Sequence, residues 1–466
     1  MDKENKGPNI SVRSYLAALA VIFMLMALTY ALTFLIPGGE YGQITDANGN
    51  KIIDMASGFE YVPGGISFVK WLFSPILVFT AEGSGTLIAV IIFLLVIGGV
   101  FNCLESCSLI PYLLYRISSR YASRRYTLLA VVTFFFMAMG AMVGSFEECV
   151  PLVPLVVALA LDLGWDALTG MGMSLIAVGC GFASGVLNPF TVGVAQELAG
   201  LPMFSGIWLR LVSFVLIYLL LLFFLMHRAK KVEKPVSTQS PAGVTDFDPR
   251  LSRGVKCFAG ALGFGMALVM CSPFVPLLQD LTMVIIALMF LVGGVSASIA
   301  SGLKGRALCR SFANGLLGIL PAVLLIMMAS SIRYTLVEAK ALDSILHASV
   351  TVAELLPKWL VILFIYMLVL VMNFFIASGS AKAFLLIPLI VPIASVFGIS
   401  PQLCVLAFAF GDGFSNVFYP TNPALLISLG LADVSYSAYA RWSWKFQVLN
   451  LLLTGSILLL GLWIGY

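Results

Sequence analysis

The chain has 466 residues, of which 61% are hydrophobic and only 10% are charged, with a formal net charge of +4. A soluble globular domain is about one quarter charged, so this composition excludes a water-soluble fold and makes lipid the solvent for much of the surface. The small charge, with no basic patch interleaved with aromatics, argues against nucleic-acid binding and reads as loop charge set by topology.

In chain order, apolar runs fall at 13–36, 86–106, 126–143, 150–163, 168–187, 206–226, 257–275, 281–300, 313–335, 358–376, 383–397, 400–415 and 440–462. The first resembles a signal peptide, but it is too long and no small-residue cleavage site follows, so it reads as a first transmembrane helix. A span needs roughly 20 apolar residues. Runs 150–163 and 383–397 fall short and are bordered by Gly, Pro and polar residues, which is how re-entrant hairpins and broken helices look.

Lys and Arg set the orientation. Arg116, Arg120, Arg124 and Arg125 place one loop in the cytoplasm, and the basic linker 227–256, with Arg228, Lys230, Lys231, Lys234, Arg250, Arg253 and Lys256, places another. Residues 37–66 carry Lys51 as their one basic residue and face out. The expected arrangement is multi-pass in the cytoplasmic (inner) membrane, N-terminus inside. Hairpin 126–163 then opens inward and hairpin 358–397 outward.

Two stretches repeat. GSFEECVPLVPL, GVLNPFTVG and GIWLRL in the first half match GSAKAFLLIPLIVP, FYPTNPALL and YARWSW in the second. Gly144 to Asn188 is 44 residues and Gly379 to Asn422 is 43, while Asn188 to Trp208 and Asn422 to Trp442 are both 20. With the orientation above, the repeats are inverted, which is a carrier architecture with its site near the bilayer midplane. The predicted organisation is a first repeat 1–226, the linker 227–256, a connecting helix 257–279 and a second repeat 280–466.

Each Asn-Pro step interrupts a helix and frees backbone groups that must be satisfied. Asn188, Thr191, Thr421 and Asn422 supply oxygens there, suited to a solute, Na⁺ or H⁺; a plain proline kink is the competing reading. Gly144-Ser145 and Ser378-Gly379-Ser380 allow close backbone approach to a solute. Glu147 and Glu148 at membrane depth cost at least about 2.5–3.5 kcal/mol, which makes them candidates for a cationic substrate, Na⁺ or a proton; a tip in a watery vestibule is the alternative. Lys382 sits at nearly the same place in the second hairpin, positioned for a substrate carboxylate or for Glu147 and Glu148. Asp412 in GDGFSN is a cation or proton ligand candidate and Glu197 a weaker one. Asp162, Asp166, Arg210, Arg333 and Arg441 read as interfacial.

Eight scattered cysteines and two distant histidines, His227 and His347, give neither a disulfide framework nor a transition-metal set. No cofactor is expected beyond a Na⁺ or H⁺ coupling ion. No phosphate loop, nucleophile motif or paired-Asp motif supports a pump or an intramembrane enzyme. Paired hairpins argue for occlusion rather than a continuous channel.

GSFEEC, SGSAKAFLLIP, GDGFSN and YPTNPALL, with the Trp-rich helix that follows, resemble the C4-dicarboxylate anaerobic carrier-like family of the ion transporter superfamily, in its YfcC-like basic amino-acid antiporter branch. The resemblance implies an all-α elevator-type carrier with scaffold and transport domains, as a homodimer. It implies a site at Ser145, Glu147, Glu148, Asn188, Ser378, Ser380, Asp412, Asn416, Thr421 and Asn422. Lys382 departs from the branch, where an uncharged residue is expected. The implied function is exchange or ion-coupled uptake of a basic amino acid; a C4-dicarboxylate or other carboxylate is the alternative.

Overall fold

The computed structural model describes residues 12–45, 51–81, 84–144, 146–235, 248–271, 282–353 and 355–466. Among them, seven helices are long and apolar enough to cross a membrane, or eight if the bent pair Ile91–Ser106 and Leu109–Tyr121, angled at 75°, forms one span. The chain is therefore a multi-pass membrane protein.

Two helical hairpins carry the Gly-Ser tips. Helix Arg125–Met142 stops where Gly144 adopts φ +76, a left-handed turn that suits glycine. A 3-10 turn Glu147–Leu152 then leads into helix Val153–Asp162. The arms meet again at their base, where Arg125 Nη1 donates to the Leu163 carbonyl at 3.2 Å and the Tyr126 and Trp165 rings lie 5.7 Å apart. In the second hairpin, helix Lys358–Phe375 unwinds at Ile376 and the chain returns as helix Gly379–Val396. Lys358 Nζ closes that base on the Gly398 carbonyl at 2.9 Å. The sequence reading made the second return arm, 383–397, too short to cross. With 18 residues it has the length of a span, because Ser378 caps it five residues before the continuous apolar run and the polar start GSAK hid its first turn.

The 26-residue helix Ile207–Val232, about 39 Å long, relates the hairpins to one another. Its C-terminal end holds the first base: Arg228 pairs with Asp166, and Glu233 with Arg125. Its N-terminal end holds the region just past the second base, where Gln402 Nε2 donates to the Ser205 carbonyl at 2.6 Å. The hairpins therefore open at opposite ends of this helix. Helix Tyr436–Ile464 runs antiparallel to it, with Trp208 against Tyr466 at 5.5 Å at one end and Arg228 over Trp442 at 5.3 Å at the other.

A second group of helices, Val12–Leu32, Ser84–Ser106, Pro249–Cys271, Thr282–Ala300 and Gly305–Glu338, packs together and draws on both halves of the chain. Within the basic stretch 227–256, one helix reaches Val232 and the next starts at Pro249. Residues 272–281 of the connecting segment lie outside the described residues. Two elements escaped the hydropathy reading: an antiparallel pair of strands, Gly39–Thr45 and Lys51–Tyr61, and helix Ala341–Ala353 on which it docks. There the Tyr41 amide donates to Asp343 at 3.1 Å and Phe59 stacks on His347 at 4.0 Å. Arg210, expected at the interface, is fully buried, and its guanidinium donates to the Phe204 and Ser205 carbonyls at 3.0 and 2.8 Å.

Asp166 ties the first base together. It caps helix Ala167–Met171 through Thr169 and pairs with Arg228. Burial raises its pKa, but the hydrogen bonds from Arg228 and Thr169 outweigh burial and hold the carboxyl below the usual range. A depressed carboxylate contributes stability that is present at neutral pH and lost as pH falls through the folded-state pKa. Asp166→Asn, which keeps a capping oxygen, should lower the apparent melting temperature at pH 7. Its gap from wild type should close below about pH 4, as measured by thermal scans in detergent.

Candidate functional site

The two Asn-Pro breaks are helix starts. Asn188 caps the segment that begins at Pro189, accepting from the Phe190 and Thr191 amides at 3.0 and 3.3 Å. Asn422 caps helix Pro423–Leu431 in the same way, accepting from Ala424 and Leu425 at 2.9 and 3.4 Å. Proline in the first turn lacks an N–H that would have gone unpaired in any case. The amide oxygens of both Asn residues are thus engaged with backbone, and the exposed ends of helix dipoles lie in the protein interior.

The freed carbonyls are largely taken as well. Ala141 O accepts from the Leu187 amide at 2.9 Å. Val417 O and Phe418 O accept from the Tyr439 and Tyr436 hydroxyls at 2.6 and 3.0 Å. Asp412 O accepts from Asn373 Nδ2 at 3.1 Å. The sequence reading left these carbonyls open to ions and missed the three side chains that fill them. For Asn373 the signal was present, as one amide inside the apolar run LVMNFF.

Tips and breaks of the two halves come together. Gly144 lies against the Asn188 amide oxygen, where a Cβ has no room. A Cβ on Gly379 would stand 2.7 Å from Asp412 Oδ2 and 2.7 Å from Thr191 Cγ2, so the second tip meets the first break. Helix Pro423–Leu431 packs on the turn Glu147–Leu152, so the first tip meets the second break. Helix Ala177–Ser184 crosses helix Pro401–Gly413 at Gly413, whose Cα sits on Ala183. Small residues permit this close crossing.

Lys382 is completely buried and ion-paired with the equally buried Asp412, Nζ to Oδ1 at 2.6 Å. The same ammonium donates to the Ile376 carbonyl at 3.0 Å and to Asn373 Oδ1. Asn416 Oδ1 accepts from Asn373 and from Asn422, both at 3.0 Å. Ser378 caps the second return arm and Ser380 follows in its first turn, half-buried. Ser145 lies outside the described residues, and Glu147 and Glu148 open the 3-10 turn of the first tip.

Several buried polar atoms here have no partner among the described residues: Asn188 Nδ2, Thr191 Oγ1, Thr421 Oγ1 and Asp412 Oδ2. Such groups cost free energy unless something else binds them, and four at the junction of tips and breaks form a ready polar lining. Replacing Asn188 by Ala should cost about 1 kcal/mol through the lost cap, whereas Ser at this position should be nearly neutral. Thermal shift of the purified protein checks both, and equal destabilisation by Ala and Ser would argue against the cap.

The chain is 28% identical to an Escherichia coli K12 protein described as "Putative basic amino acid antiporter YfcC", over 380 residues covering 77% of this chain and 74% of that one. It is 22% identical to an uncharacterized protein of Haemophilus influenzae, over 95% and 96% of the two chains. Among solved structures, the Alcanivorax borkumensis YdaH transporter superposes with a TM-score of 0.46 at 18% identity, covering 97% of this chain and 99% of that one. Neisseria gonorrhoeae MtrF gives 0.44 at 15% identity, with 96% and 95% covered. The family model for the C4-dicarboxylate anaerobic carrier, DcuC, matches residues 17–463. A match over nearly the whole length assigns the chain to the DcuC family of C4-dicarboxylate anaerobic carriers, a family of membrane transporters.

Proposed function

We propose that the protein is a secondary active carrier for a basic amino acid of the arginine or ornithine type, working by antiport in the inner membrane with its N-terminus in the cytoplasm. Two inverted repeats, each with a re-entrant hairpin and a broken helix, would form a transport domain from residues 125–232 and 358–464. The other helices would form a dimeric scaffold past which it moves as an elevator. The opposite openings of the hairpins and the reciprocal Trp contacts of the two long helices support the inversion.

The observation that carries the substrate class is the internal pairing of Lys382 with Asp412. That pair is neutral as a unit and contributes no net charge to recognition. The formal charge left among the tips and breaks is that of Glu147 and Glu148. A doubly acidic tip attracts a guanidinium or ammonium group and repels a carboxylate-only solute. The Escherichia coli relative's description points the same way.

A carboxylate substrate is the second reading. The capped helix starts at Asn188, Ser378 and Asn422 favour an anion through their dipoles, and the family model is named for C4-dicarboxylates. The acidic pair Glu147 and Glu148 at the first tip weighs against it.

Counterflow in proteoliposomes decides between them. Vesicles loaded with arginine or ornithine should trap the labelled amino acid, and Glu147→Gln with Glu148→Gln should reduce trapping at least about tenfold, the effect of losing one charge-assisted contact. Trapping by succinate alone, or trapping of arginine unaffected by the double substitution, would overturn the proposal.

A further inference from the structure

We infer that the Lys382 ammonium is a tethered cation occupying an oxygen cage that otherwise suits a free monovalent ion such as Na⁺. Three oxygens of different kinds surround Nζ: the Asp412 carboxylate at 2.6 Å, the Ile376 main-chain carbonyl at 3.0 Å and the Asn373 amide oxygen. One carboxylate, one carboxamide and one backbone carbonyl form a hard oxygen set of the kind that coordinates alkali and alkaline-earth cations.

The cage is built around an amide that is held in place from its other side. The two N–H groups of Asn373 Nδ2 are shared among Asp412 O, Ser415 Oγ and Asn416 Oδ1 at 3.1, 2.6 and 3.0 Å, which fixes the amide with its oxygen toward the cage. Ile376 is the first extended residue after helix Lys358–Phe375, so its carbonyl faces no helix partner of its own. Asp412 lies in the last turn of helix Pro401–Gly413, and its second oxygen looks toward Gly379. Asn373, Lys382 and Asp412 are all at most 2% exposed. Burying an ion pair this completely brings little stability, whereas removing one partner leaves an uncompensated buried charge. A charge-balancing role accounts for a buried pair that adds little stability.

The consequence for transport rests on the carrier reading. A carrier whose cation is covalently attached carries that charge through every conformational cycle and needs no Na⁺ from solution. Exchange of one solute for another fits this better than Na⁺-driven uptake. The cage itself is independent of the substrate and is tested with the cation alone.

Lys382→Ala empties the cage and leaves Asp412 to be neutralised from solution. In detergent, the apparent melting temperature of this variant should rise by about 3 °C or more on replacing choline chloride with NaCl at equal ionic strength, and the variant should bind radioactive Na⁺ saturably. Wild type, and Lys382→Ala combined with Asp412→Asn, should show neither response. If Lys382→Ala is too unstable to purify in choline, its yield on extraction into Na⁺ against choline carries the same comparison. Equal behaviour in both salts, or a wild-type response as large as the variant's, would overturn the inference. A Na⁺ response with failed arginine counterflow would remove the substrate reading and leave the cage standing, and the converse result would do the opposite.

Discussion

Backbone polarity inside a membrane is the constraint on which this structure turns. Every N–H and C=O freed where a helix stops at depth must find a partner, because lipid offers none. Asn188 and Asn422 cap the restarted segments, Asn373 takes a carbonyl at the end of one helix, and Tyr436 and Tyr439 take two at the break beyond it. Once these groups are satisfied, the chain can keep two interrupted helices and two hairpin tips close together. Among the buried polar atoms left without a partner in the described residues, Asn188 Nδ2, Thr191 Oγ1, Thr421 Oγ1 and Asp412 Oδ2 lie at the tips and breaks.

The same constraint explains the glycines. Gly144 and Gly379 sit where a Cβ would strike Asn188 on one side and Asp412 with Thr191 on the other. Gly413 brings one broken helix down onto Ala183 of the other. Close backbone approach draws both halves of the chain into one site, and membrane helices associate through such packing in place of a hydrophobic drive.

The features legible in the sequence were those written in short local code. Gly-Ser tips, Asn-Pro breaks and their matched spacing located the hairpin turns and helix restarts, and the hydropathy runs located most spans. What escaped depended on contacts distant in sequence. Lys382 and Asp412 are thirty positions apart, and only folding shows that they pair with each other with Asn373 between them. The strand pair 39–61 is stabilised by Asp343 and His347 some three hundred residues away, so its own polar sequence read as loop. Arg210 looked interfacial because long basic side chains snorkel, yet the turn at 204–206 folds over it.

The account stands or falls on the hairpins opening to opposite faces of the membrane with their tips meeting inside. Single cysteines at Ser123, beside the first base, and at Ser395, beside the second, are both exposed and can be placed in a background lacking the eight native cysteines. A membrane-impermeant maleimide should label the Ser123 position only in inside-out vesicles and the Ser395 position only in intact cells. Labelling of both positions from the same side would contradict the arrangement and the carrier mechanism built on it.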